Sequence, residues 1–77
     1  MKLKTKLEIS GTVDGLKDMN LLYLVFYKIG YNKYLCKVYD NQRRTNQIDE
    51  FTIIKDKCGI EYIYDYLNDG ILGNTFI

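Results

Sequence analysis

Histidine is absent from the 77 residues, and its absence removes most of the familiar catalytic chemistry. Without an imidazole there is no Ser-His or Cys-His nucleophile pair and no histidine general base. The one serine, Ser10, sits on the predicted exposed face of a strand. Cys36 and Cys58 have no metal-ligand spacing and are too few for a disulfide framework, so they read as small apolar filler. The six glycines are scattered over apparent turns, with neither a P-loop nor a dinucleotide fingerprint. Carboxylates remain. Asp49-Glu50, Asp56 and the Glu61/Asp65 pair could hold a divalent cation or exchange protons, and i, i+4 spacing puts the last two on one helix face. Such a pair is usually solvated surface, and a chain this short has little room for a catalytic pocket. The expectation is a protein without enzymatic activity, metal or cofactor.

Binding chemistry is better represented. Eight tyrosines occur, more than a small core uses easily, because each phenol must reach water or a partner. Tyrosine offers large contact area at low entropic cost and is enriched at interfaces. The plainer reading is that these side chains lie half-buried over sheet faces, favoured by codon bias. Tyr31, at a predicted hairpin tip, is hardest to assign to a core. Arg43 and Arg44 stand side by side in a chain with nine lysines and no other arginine. Guanidinium forks suit carboxylate or phosphate recognition, although a solvated loop would also hold them. The candidate partner-binding residues are Arg43, Arg44, Tyr31, Tyr39, Lys37, Tyr27 and Tyr23.

Length and composition describe one small domain with an α+β pattern. A single core at this size supplies only about 3–5 kcal/mol, so oligomerisation must be considered. An apolar content of 47% with 27% charged residues is globular rather than disordered. A net charge of +1 argues against a strongly basic nucleic-acid binder and against an acidic mimic. The start of the sequence, MKLKTKLEIS, lacks the apolar run of a signal peptide, and Leu21 to Tyr27 is far short of a membrane span. A cytoplasmic protein with reduced thiols, not bound to a membrane, is expected. Alanine, tryptophan and proline are missing while Ile, Asn, Lys and Tyr abound, a bias that suggests an AT-rich genome such as a low-GC bacterium or its mobile elements.

The elements that must position the tyrosines and arginines centre on residues 21–40. Strict alternation over 2–10 predicts a half-buried strand. Residues 11–20, with two glycines, two aspartates and an asparagine, read as a turn-rich connection with room for one helical turn. Strands over 21–29 and 33–40 form a hairpin. A three-residue loop of Gly30, Tyr31 and Asn32 puts Leu22, Leu24 and Phe26 on one face with Tyr34, Cys36 and Val38. A two- or four-residue loop instead pairs Val25 and Tyr27 with Cys36 and Val38. The first register separates the charges better. A fourth strand is expected over 48–55. Residues 60–69 fit a helix with Ile60, Ile63, Tyr64 and Leu67 on one stripe and Gly70 at its C-cap, or a strand after a tight turn at 56–59. The helix separates apolar from charged residues better, so the expected architecture is an antiparallel sheet of about four strands with a helix on one face. The tail ILGNTFI could add a short last strand.

Two functional readings follow. One is a small protein-binding module, an inhibitor from a phage or mobile element that occludes a larger host protein. The order of a strand ending near Leu7–Thr12, the hairpin and the amphipathic segment resembles small phage anti-CRISPR proteins, which implies that kind of partner. The other is a nucleic-acid-binding module, with Lys33, Lys37, Arg43 and Arg44 on phosphate and tyrosines stacked on bases. There the order of three strands followed by a helix resembles the arm-binding domains of some integrases. A homodimer is compatible with both.

Overall fold

A computed structural model of the chain describes residues 10–54 and 60–76. Five strands, β1 (Ser10–Lys17), β2 (Asn20–Gly30), β3 (Lys33–Tyr39), β4 (Gln47–Ile54) and β5 (Ile71–Phe76), and one helix, α1 (Ile60–Tyr66), follow one another with α1 before β5. The sheet order is β4-β3-β2-β1-β5, and every neighbouring pair is antiparallel. The class is α+β, with five strands where about four were expected. The expected strand over 2–10 lies outside the described residues except for Ser10, the first residue of β1.

Two strands lie outside the expected four: β5, the short last strand that the tail could add, and β1, formed by the stretch read as a loop. Gly11, Val13 and Gly15 alternate as the buried face of β1, so two of the supposed turn glycines are strand residues. Gly15 is needed because chain passes directly over it. A Cβ there would run into Leu67 Cδ1 and lie 2.7 Å from Gly70 O. The real turn is Asp18-Met19, with Lys17 opposite Asn20. Both residues have positive φ, 53° and 67°, which matches the right-handed twist of the flanking strands.

In the central hairpin, Leu24 pairs with Val38 and Phe26 with Cys36, the register preferred from charge separation. It is reached by a different route. Gly30 pairs with Lys33 across a two-residue turn, and an irregularity between Lys28 and Gly30 restores the face assignment that a three-residue loop would give. Asn32, at φ 55°, takes the left-handed turn position.

The core contains Val13, Leu22, Leu24, Phe26, Tyr34, Cys36, Val38 and Ile53 from the sheet. Ile63 and Leu67 belong to the same cluster, with Ile60 and Tyr66 partly buried against it. The helix is shorter than the expected 60–69, ending at Tyr66, and Tyr64 of the expected apolar stripe is exposed. Gly70, at φ 103°, then turns the chain into β5. Because β5 is antiparallel to β1, it runs parallel to β4 at the far edge of the sheet. The β4–α1–β5 connection therefore crosses the sheet.

A clasp fixes the end of that crossing. Leu16 N–H donates to Gly70 O and Asp69 N–H to Leu16 O, both at 3.0 Å. The Asp18 amide donates to Asn68 Oδ1 at 3.0 Å and the Met19 amide to Asp69 Oδ2 at 2.7 Å. Lys17 Nζ donates to Tyr66 O at 2.8 Å. These bonds hold a methionine in a backbone region that costs about 1–2 kcal/mol for a residue with a Cβ. Two outcomes are expected in urea unfolding. Gly15→Ala lowers stability by about 1–3 kcal/mol, as overpacking does, with the slope unchanged. Met19→Gly raises it by about 1 kcal/mol, because the Met19 side chain is 88% exposed and contributes little packing.

Candidate functional site

The face of the sheet turned away from Ile63 and Leu67 carries the hairpin's other residues. Tyr23 lies opposite Tyr39, Val25 opposite Lys37 and Tyr27 opposite Leu35. β1 adds Asp14 beside Tyr23 and Thr12 beside Val25, and β4 adds Glu50 beside Lys37 and Thr52 beside Leu35. The side chains from β1, β2 and β3 in this set are all half-buried. Tyr23, Tyr27, Lys37 and Tyr39 are thus brought together, as the alternation predicts.

The arginines separate. Asn41 Oδ1 accepts from the Thr45 and Asn46 amides at 3.1 and 3.0 Å, folding the 40–46 loop back on itself. Arg44, at φ 55°, is thereby aimed across the sheet. Its Nη2 meets Asp14 Oδ1 at 2.7 Å, and its guanidinium carbon lies 5.6 Å from the Tyr23 ring centroid. Nε and Nη1 approach Leu24 O and Gln42 O, each at 3.4 Å. Arg44 ties the β3–β4 loop to β1 over the top of Tyr23, so its fork is taken up by the protein's own carboxylate. Arg43 is exposed in the same loop. Tyr31 stands at the hairpin tip, 88% exposed and away from the cluster.

Lys37 lies diagonal to Tyr27 across the ladder. Its hydrogen bond with that phenol, and then the phenol's charge, raise the ammonium above the ordinary lysine range, with Tyr39 and Glu50 adding to the effect. Lys37 is therefore a cation set among Tyr23, Val25, Tyr27, Leu35 and Tyr39. The patch also holds Arg44, Asp14 and Glu50, so its formal charges balance.

Sequence reasoning missed Asp14 and Tyr66. Asp14 was hidden by the neighbouring glycines, which imitate a turn. Tyr66 works on the other face, where its hydroxyl donates to Asp49 Oδ2 at 2.9 Å and its ring stacks on Phe51 at 4.9 Å. Lys17 Nζ sits 4.5 Å from the centroid of the same ring. No one-dimensional signal marks a tyrosine that reaches both β1 and β4.

Among the described residues no group of three or more His, Cys, Asp or Glu is placed to hold a metal ion. No helix among them is long and apolar enough to cross a membrane. No protein-family model, curated protein or solved structure matches the chain.

The buried thiol and the Tyr66 phenol make stability depend on alkaline pH. Burial first, and the Asp49 charge second, push Cys36 up to about 12 from 9.0. Burial, the Asp49 hydrogen bond and the Asp49 charge push Tyr66 up to about 12 from 10.0. The unfolded chain releases these protons at lower pH than the folded one, so stability falls as pH rises through this window. Cys36→Val removes the thiol. Relative to this variant, wild type should lose roughly 1.4 kcal/mol of stability per pH unit between the unfolded thiol's value and the folded one. Parallel stability curves for the two proteins across that range would contradict the assignment.

Proposed function

We propose that this chain is a non-enzymatic protein-binding module that covers part of a larger protein with its tyrosine-bearing sheet face. The observation that supports this reading is the grouping of Tyr23, Tyr27 and Tyr39 around Lys37 on one sheet face, with Thr12, Val25 and Leu35 between them. Strand backbones hold these rings in place, so little entropy is lost when a partner meets them. The inhibitor reading extends this. A small domain that buries such a face on a host protein needs no chemistry of its own to block it, and codon bias fits a phage or mobile element acting in a low-GC host cytoplasm.

The charge pattern favours protein over nucleic acid as the partner. Lys37 faces Glu50 across the ladder, and Arg44 is paired with Asp14. A phosphate backbone would meet two carboxylates for two cations, whereas a protein surface of mixed polarity suits a balanced patch.

Capture from a low-GC bacterial lysate at physiological salt, followed by titration of the purified partner, tests the reading. Tyr27→Ala and Tyr39→Ala are each expected to weaken binding by about tenfold or more, while Tyr64→Ala on the helix leaves it unchanged. Binding that survives both face substitutions in folded protein sinks the proposal. So does saturable binding of duplex or single-stranded DNA that falls steeply with salt, with no protein captured.

A further inference from the structure

The outer edge of β4 has a separate set of features. β4 ends the sheet, paired with β3 on one side. Glu50 N–H turns away from that ladder and donates to Asp49 Oδ1 at 2.8 Å. Outward-turned residues alternate along an antiparallel strand, so Thr52 and Ile54 also direct their backbone groups to the open side. A cleft of about 490 Å³ runs alongside, lined by Phe51 to Ile54 of β4 and by Tyr62, Asp65 and Tyr66 of α1. Successive side chains leave a strand by opposite faces, so four consecutive residues share a cleft at the strand's edge.

The edge is blunted only near its start, where the ladder irregularity opposite Val38 and Tyr39 skips Ile48 and where Asp49 and Glu50 carry charge. Natural edges are commonly protected by lysine, proline or a short strand, and Gln47–Ile54 is eight residues long with neither residue type. Ile54 is 71% exposed. The two elements forming the cleft carry Asp49, Glu50, Glu61 and Asp65 and no lysine or arginine. An apolar cleft, an outer edge that no strand among the described residues pairs, and two elements whose own charges are all acidic define one kind of occupant.

We propose that the β4 edge takes up an extended peptide segment of alternating basic and apolar residues as an added strand. Main-chain bonds to Thr52 and Ile54 supply the pairing. Apolar side chains enter the cleft against Phe51 and Tyr62, with Asp65 at its rim. Basic side chains fall on the opposite side, beside Glu50. The cleft lies on the opposite side of β4 from the tyrosine face, and the two sites meet at Glu50 and Thr52.

The probe is a labelled synthetic peptide of alternating Lys and Val with blocked ends, titrated into the full chain by fluorescence anisotropy. Saturable one-to-one binding is expected, about tenfold or more weaker for an alternating Glu and Val peptide. Thr52→Pro deletes an outward-facing N–H, a position where an edge strand tolerates proline, and should weaken the Lys-Val peptide by about tenfold. Glu50→Gln should weaken it too, and Tyr23→Ala should not. N-methylating alternate peptide residues tests the same bonds without altering the protein: one phase abolishes binding and the other preserves it. The proposal is overturned by equal affinity for both peptide charges, by equal effects of both methylation phases, or by absence of saturable binding. A homodimer sealed through β4 that excludes the peptide overturns it as well.

Discussion

Everything about this sheet depends on where the chain crosses it. β4 and β5 are parallel strands at opposite edges, so the connection between them must pass over one face. A helix of seven residues spans only about 10 Å, while five strands span about 19 Å between outer axes, so the helix cannot complete the crossing alone. At the β5 end the chain continues through residues 67–70, and these need the backbone of β1 to lie bare beneath them. Gly15 provides that, with Leu67 seated on it. The paired bonds between Leu16 and the 69–70 backbone, and those from the Asp18-Met19 turn to Asn68 and Asp69, keep the crossing on that face.

A single crossing of this size covers a single face. β2 is apolar on both sides, and its second face receives no helix among the described residues. The protein instead lays Arg44 over Tyr23 and pins it to Asp14, which fixes one end of that face and neutralises it. The rest is left as tyrosine, valine, leucine and threonine around Lys37 and Glu50. A surface with rigid rings and balanced charge is suited to burial against another protein. Among the described residues, the outer edge of β4 is left without a paired strand.

The hairpin faces were legible because alternation over β2 and β3 is strong enough that charge separation alone selects the register. Neither the tight turn nor the compensating irregularity at Lys28–Gly30 could be read, since one extra residue in the turn and one extra residue in the strand have the same effect on parity. β1 was misread for a physical reason. Gly11 and Gly15 are required by close packing above the strand, and in one dimension that requirement looks identical to a turn. Of the candidate site, the four β2 and β3 residues were found from period two. Arg44's attachment to Asp14 depends on a loop held by Asn41 side-chain bonds, and the pairing spans 30 residues, so nothing local announced it.

The central claim is that one sheet face is sealed by the crossing and the other is open. It is tested most directly by NMR in the presence of a soluble paramagnetic agent, which broadens the signals of side chains that it can approach. The account predicts strong broadening at Tyr23, Val25, Tyr27, Leu35, Lys37 and Tyr39, with Leu24, Phe26, Cys36, Val38, Ile63 and Leu67 protected. Equal protection of both sets would mean that the tyrosine face is covered within the protein, and would contradict the account.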